Sequence, residues 1–297
     1  MDDNLRIVSA SSVSLAEFAD VFTAGFSGYH FHVVLDAARL ARRVRQEQYD
    51  LSYSIVAYEG DEAVGVAALA VRADAGWVAG LGVVPAQRGR GRGRFLMEAL
   101  LERARACGLR RLSLEVLAGN DAARRIYEGA GMRISRDLLL LERAASVEGE
   151  SVAEASPQAH SSDTEERSSD TEGRELKEAE PKELLAHFAR LHVVPPQWSR
   201  DLPGLLVKSR MRGLYLGERE RPDAYVLLTE SADEGVTYLS DLAAADASVA
   251  RELCAALVGI AGPLKINNEP EHGLFTAPLI EHGFVETERQ HEMVIDL

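Results

Sequence analysis

The sequence predicts a mixed α/β fold (α+β), a mostly antiparallel sheet flanked by helices, with one order of elements occurring twice. Three observations predict it. Apolar runs at 52–58 and 63–71 flank the turn Glu59-Gly60-Asp61-Glu62, which makes an antiparallel hairpin. A third apolar run, 77–84, leads through a glycine-rich basic turn into a helix with apolar residues at helical spacing. The stretch 213–297 then repeats that succession of strands and helices.

Taken in order, residues 14–25 and 35–47 have helical spacing, and the hairpin follows. The strand 77–84 ends at Pro85, which cannot donate to a ladder. Behind the turn Gln87-Arg88-Gly89-Arg90-Gly91-Arg92-Gly93-Arg94, the residues Phe95, Leu96, Ala99, Leu100, Ala104 and Cys107 share a helical face, and Gly108 stops the helix. Leu112, Leu114 and Val116 alternate as a strand, with Ser113, Glu115 and Leu117 on its other face. Asn120 caps a helix over 121–128, Gly129 and Gly131 end it, and 132–141 is a last strand. In the second half, strands are expected at 213–217, 224–229, 237–242 and 264–267, and helices at 246–258 and 274–282. The basic glycine loop is missing there: the corresponding turn reads Ala243-Ala244-Ala245-Asp246.

Composition divides the chain into a domain at 1–144, a linker at 145–180 and a second domain at 181–297. Of the net charge of -14, the first carries 19 basic and 18 acidic side chains, the linker 3 and 11, and the last 11 and 18. The linker is rich in Ser, Thr and Glu, repeats the phrase Ser-Ser-Asp-Thr-Glu, and is too poor in aliphatic residues to offset its ordering entropy. A disordered acidic spacer is expected. No segment has the positive excess of a nucleic-acid binder. No apolar stretch reaches the roughly 18–20 residues that span a bilayer, and the acidic start is unlike a secretory signal. Cys107 and Cys254 stand far apart, so neither a disulfide framework nor a metal site is expected, and a reducing cytoplasm is.

The arginines of the first half cluster where a strand, a glycine-rich turn and a helix N-terminus follow one another. Backbone N–H groups and the helix dipole favour an anion there. Arginine adds charge-assisted hydrogen bonds to phosphate. A dinucleotide fold wants Gly-x-Gly-x-x-Gly, whereas the spacing here is Gly89-x-Gly91-x-Gly93, after a hairpin meander rather than βαβ units. Gly-Lys-Ser/Thr, needed for a Walker loop, is absent. An Arg-Gly RNA-binding tract would not run straight into an apolar helix.

Arg88-x-x-Gly91-x-Gly93 resembles the Arg/Gln-x-x-Gly-x-Gly/Ala signature of the GCN5-related N-acetyltransferase (GNAT) superfamily. The run Leu114-Glu115-Val116-Leu117-Ala118-Gly119-Asn120, followed by Ile126-Tyr127-Glu128 and Gly131-Met132, is similar to the family's second signature. The likeness covers most of 1–144 and is nearest in style to bacterial ribosomal-protein N-terminal acetyltransferases. Over 181–297 it rests on the element order and the closing Gly283-Phe284 turn, so that half is expected to be a degenerate GNAT-like domain. The resemblance implies a splayed sheet, with the backbone of Gly82, Val83 and Val84 binding the pantetheine arm of acetyl-CoA. It implies that Arg88, Gly89, Arg90, Gly91, Arg92, Gly93 and Arg94 cradle the pyrophosphate and that Asn120 contacts the cofactor. It implies Tyr127 as the acid that protonates the departing thiolate and Glu115 as the base, with no metal. Each has a plain alternative: Tyr127 as core, Asn120 as a cap only, Glu115 as a structural carboxylate.

The expected reaction is acetyl transfer from acetyl-CoA to a primary amine, on a small molecule or a protein N-terminus, by direct attack. An α-amino group with pKa about 7.7–8.0 is already about a third neutral near pH 7.5, whereas a lysine is only about 0.1% neutral. The base matters most for lysine-like acceptors. A non-catalytic acyl-CoA sensor is the alternative, and a mycothiol-synthase-like acetyltransferase the narrower one. Neither nucleic acid nor membrane is expected as a partner, and the chain is read as a monomer or homodimer.

Overall fold

The computed structural model describes residues 5–30, 33–145 and 174–297. The first half runs β1 (Leu5–Ser9), α1 (Leu15–Gly25), α2 (Ala37–Glu47), β2 (Ile55–Glu59), β3 (Glu62–Arg72), β4 (Ala75–Val83), α3 (Arg92–Ala106), β5 (Arg111–Leu117), α4 (Asp121–Gly129) and β6 (Arg133–Arg143). The second runs β7 (Lys177–Ala179), α5 (Pro181–Leu185), α6 (Phe188–Leu191), α7 (Leu202–Val207), β8 (Met211–Glu218), β9 (Arg221–Ser231), β10 (Val236–Ala244), α8 (Ala247–Ala256), β11 (Leu264–Pro270), α9 (Thr276–Glu281) and β12 (Val285–Asp296).

The twelve strands of the described residues form a single sheet in the order β1-β2-β3-β4-β5-β12-β6-β11-β10-β9-β8-β7. The order is a palindrome in the two halves, with one exchange at its centre. Each half contributes six strands, and the sixth strand of each pairs with the fifth strand of the other. Thus β12 pairs antiparallel with β5 from Gln290↔Leu117 to Asp296↔Arg111. Likewise β6 pairs antiparallel with β11, and β6 and β12 pair with each other. The two halves therefore share one sheet at its centre. Most of the expected linker, residues 146–173, lies outside the described residues. Its end does not: Lys177–Ala179 is the outermost strand, and Arg174 forms ion pairs with Asp223 (2.6 Å) and Glu252 (2.7 Å).

The helices form where the sequence supplies caps and an apolar face. Ser14 Oγ accepts from the N–H of Glu17 at α1, Asp36 from that of Arg39 at α2, and Asn120 from that of Ala123 at α4. The first half has a core on each face of the sheet. Phe18, Phe22 and Leu40 of α1 and α2 pack with Trp77 on one face. Leu96, Met97 and Leu100 of α3 pack with Leu114, Tyr127 and Met293 on the other. β3 lies between these layers, which is why Val64–Ala70 reads as an unbroken apolar run rather than an alternating one. No helix of the described residues is long and apolar enough to cross a membrane.

Candidate active site

The site begins where the sheet opens. β4 pairs with β3 over its whole length, from Arg72↔Ala75 to Gly65↔Val83. Its parallel pairing with β5 stops after three residues, at Trp77↔Ser113. From Val78 to Val83 the edge of β4 that faces β5 has no ladder partner, so the two strands splay.

At the end of β4 the chain turns into α3 through residues 84–91. Gly89 and Gly91 both have φ of +77°. A Cβ at either would meet no atom within 4 Å, so the left-handed backbone, rather than space, is what requires glycine there. Gly91 is the N-cap of α3 and has no side chain to satisfy the first amides of the helix. The other helices of eight or more residues are all capped by Ser, Asp or Asn. α3 alone among them presents bare amides, at the end carrying the positive pole of its dipole. Gly93 has a different reason: a Cβ there would lie 2.7 Å from Cδ1 of Ile126, so glycine lets α3 pack closely on α4.

The arginines divide. Arg90 and Arg94 are exposed beside this N-terminus. Arg88 points the other way. Its Nε donates to the carbonyl of Val83 (3.0 Å), and Nη2 donates to those of Gly25 (3.0 Å) and Ser27 (2.7 Å). Arg92 is buried and ion-paired with Glu59. The side chains of Arg88 and Arg92 therefore brace the loop from behind. Val84 lies just past β4, where its N–H donates to Val64 (3.0 Å) and its carbonyl accepts from Gln87 (2.9 Å). Gly82 and Val83 lie in the stretch of β4 that has no β5 partner.

Across the splay stands Asn120. Besides capping α4, its side chain lies close to Tyr29, as does the backbone of Leu117. Tyr127 is buried in the α3–α4 core. Burial, and then the neighbouring Tyr29, hold its hydroxyl far above the ordinary phenol range. The proton of this phenol is retained at every physiological pH.

Glu115 reaches the splay from the opposite face, where Trp77 belongs to the α1–α2 core. Trp77 Nε1 donates to Oε2 of Glu115 at 2.6 Å, and Gln197 Nε2 donates to Oε1 at 2.9 Å. Burial pushes the carboxyl from 4.5 up to about 7; the two donors pull it down, and Glu292 and Glu47 nearby add to the rise. A carboxyl poised there takes up and releases protons at neutral pH. Asn120 and Tyr127 thus lie on the α3–α4 side of the sheet and Glu115 on the α1–α2 side beside Trp77, while Gly89, Arg90, Gly91 and Arg94 surround the head of α3.

Sequence reasoning missed Gln197 altogether, since nothing in Pro195-Pro196-Gln197-Trp198 signals a place 82 positions away beside Glu115. It also left out Tyr29, although the aromatic cluster Phe26-x-x-Tyr29 was a signal.

The sheet of the second half parts at the corresponding place, beside a small pocket lined by Arg200, Leu242, Asn268, Glu269 and Phe275. β10 and β11 also pair only briefly, at Thr237↔Leu264 and Tyr238↔Lys265. A buried ionic group occupies the gap, with Arg200 donating to Glu269 (2.6 Å) and lying 3.6 Å from Asp241. Asp241 also accepts from Tyr225 (2.8 Å). At the head of α8, Oδ1 of Asp246 accepts from the N–H groups of Ser248 (2.9 Å) and Val249 (3.0 Å). The helix supplies its own anion.

The residues of the first half fit the diphosphate and thioester arm of acetyl-CoA: bare amides at α3, exposed Arg90 and Arg94, and an open strand edge. No group of three or more His, Cys, Asp or Glu among the described residues is placed to hold a metal ion.

Residues 18–132 match the model of the Acetyltransferase (GNAT) family. No curated protein matches the chain in sequence. Among solved structures, the chain superposes along its full length on a GCN5-related N-acetyltransferase from Sphaerobacter thermophilus, with a TM-score of 0.66 at 15% identity, covering 96% of that protein. It is also similar to a GCN5-related N-acetyltransferase from Anabaena variabilis, with a TM-score of 0.63 at 12% identity, covering 98% of this chain and 72% of the other. A tandem GNAT protein of the clavulanic acid biosynthesis pathway gives a TM-score of 0.62 at 14% identity, covering 98% of each chain. Residues 18–132 therefore carry a domain of the Acetyltransferase (GNAT) family, and the chain as a whole shares the fold of these GCN5-related and tandem GNAT structures.

Proposed function

We propose that the chain is an N-acetyltransferase that moves the acetyl group of acetyl-CoA to a primary amine, on a small molecule or a protein N-terminus, in the cytoplasm, with neither nucleic acid nor membrane as a partner. One observation carries the reading. β4 parts from β5 beside a helix that presents uncapped amides, and Glu115 and Tyr127 stand on opposite faces of the sheet there.

The bare amides of α3 and the exposed Arg90 and Arg94 hold the diphosphate. The open edge at Gly82 and Val83 aligns the arm. When bound, acetyl-CoA supplies an activated thioester. Glu115, ionised above about pH 7, accepts the proton of the incoming ammonium, directly or through water. Tyr127 holds a proton for the departing sulfur. Asn120 and Tyr29 fix the end of β5 and the start of α4, so that both groups keep their positions. The attack is direct, so no enzyme nucleophile is required.

The second half has an internally capped helix and a filled gap, and serves the first as scaffold. The test is release of free thiol from acetyl-CoA against a panel of amines. Turnover with at least one amine, lost in Glu115→Gln and Tyr127→Phe, supports the reading. Coenzyme binding without thiol release from any acceptor would favour the sensor.

A further inference from the structure

The side chain of Gln197 is the part of the second half that comes closest to the proposed chemistry. It is 2% exposed and sits between two groups that leave it a single orientation. Its Oε1 accepts from the backbone N–H of Ser199 (2.9 Å) and from Ser199 Oγ (2.5 Å). An amide oxygen facing two donors turns the amide nitrogen the other way. That nitrogen is the one that donates to Glu115 Oε1.

The segment carrying Gln197 is anchored on the first half as well. The ring of Trp198 stacks on Trp77, with centroids 6.0 Å apart and planes at 15°. Its Nε1 donates to the carbonyl of Glu47 (3.0 Å), and the guanidinium of Arg72 lies 4.0 Å above its ring. Arg136 Nη1 of β6 donates to the carbonyl of Pro195 (2.8 Å). Four first-half residues therefore hold 195–198 in place, and both oxygens of Glu115 receive a neutral donor, one from each half.

The charged groups that face Glu115 come from two other elements. Glu292 lies opposite it on β12, with its own charge met by Arg136 (2.8 Å), and Glu47 lies at the end of α2. Both carboxylates disfavour an ionised Glu115, as does burial. On β4 the neighbour is Trp77, which is neutral. No cation pairs directly with Glu115 among the described residues, so the two neutral donors are what oppose its protonation.

Resting on the reading of Glu115 as the base, we propose that Gln197 is a positioning residue of the active site: the second half lends it to the first to hold the Glu115 carboxylate ionised and aimed. The active site is then a joint product of both halves, although only one binds the cofactor. This also gives the central strand exchange a purpose, because it fixes the two halves rigidly enough to hold one hydrogen bond between them.

The test is Gln197→Leu, which keeps the volume and removes the donor. Two readouts are needed. The carboxyl titration of Glu115, followed by NMR with carbon-13 at the glutamate carboxyl, should move to higher pH by about one unit or more, the scale of a lost hydrogen bond to a charged group. The acid limb of the kcat/KM profile should move with it, while KM for acetyl-CoA stays within about twofold. Ser199→Ala frees the Gln197 oxygen and should move both in the same direction by less, so it serves if Gln197→Leu does not fold. A Glu115 titration unchanged in a folded variant overturns the proposal. A titration that moves while the rate profile does not leaves Gln197 acting on Glu115 and removes Glu115 as the base. That separates this failure from the failure of the underlying reading.

Discussion

Gly25 and Gly82 touch backbone to backbone, so that a Cβ built on either would lie 3.0 Å from the carbonyl carbon of the other. The last turn of α1 is thereby laid on the face of β4, and Arg88 clasps the pair through the carbonyls of Gly25 and Val83. Gly82→Ala must push α1 off this face. Overpacking costs about 1–3 kcal/mol, so thermal unfolding should show a clear loss, and KM for acetyl-CoA should rise. Arg88→Ala should lower stability by a similar amount through three unmet carbonyls, with a smaller effect on cofactor affinity than loss of the bare amides at Gly91. An Arg88→Ala protein of full stability and no affinity would return that side chain to the diphosphate.

The Gly93 position is a packing site. Gly93→Ala sets a methyl 2.7 Å from Ile126 Cδ1, which forces α3 and α4 apart. Stability is expected to fall by about 1–3 kcal/mol, and shortening the partner in Gly93→Ala/Ile126→Val should recover part of it. A double-mutant cycle from chemical denaturation reads the coupling.

Glu115 links the site to pH. Its folded carboxyl titrates near 7 against 4.5 ordinarily, and burial is the main cause. A raised carboxyl favours the fold below its unfolded value, and that benefit is lost as pH rises through the folded value. Glu115→Gln removes this loss. The melting temperature of the variant relative to the parent should therefore climb between about pH 5 and 8, by the equivalent of roughly 1–3 kcal/mol, while its turnover is abolished. A difference that does not change with pH contradicts the assigned ionisation.

The strand exchange predicts interdependence of the halves. A chain ending at residue 144 would leave β5 and β6 without β12, which pairs with both. It should show no cooperative thermal transition by circular dichroism, and removal of 285–297 from the full chain should have the same effect. A cooperative melt of either would mean that the first half folds alone.

What was legible in the sequence was local. The hairpin, the glycine turn, the Asn120 cap and the alternation of Leu114, Glu115 and Val116 are each set by neighbours in the chain, and the structure places them where the spacing put them. The exchange of β6 and β12 was not legible, because which strand lies beside which is set by tertiary contact and nothing in either sequence names its neighbour. The contacts of the arginines were not legible for a related reason. Charge and spacing give Arg88 and Arg92 no distinction from Arg90 and Arg94; only the fold shows that Glu59 and the end of α1 lie behind the loop. Gln197 carries no periodicity and no motif, and its role exists only through tertiary contact.

Gly91 and Asp246 stand at corresponding helix starts, one leaving the amides bare and the other filling them with a carboxylate. Calorimetric titration of acetyl-CoA into the parent and into Gly91→Asp tests that contrast. Asp tolerates the left-handed backbone better than most residues, so the variant should fold while placing its own anion at α3. One site per chain is expected in the parent, weakened by at least about tenfold, or about 1.4 kcal/mol, in the variant. Two sites per chain, or an affinity untouched by the aspartate, would contradict the assignment of the cofactor to the head of α3.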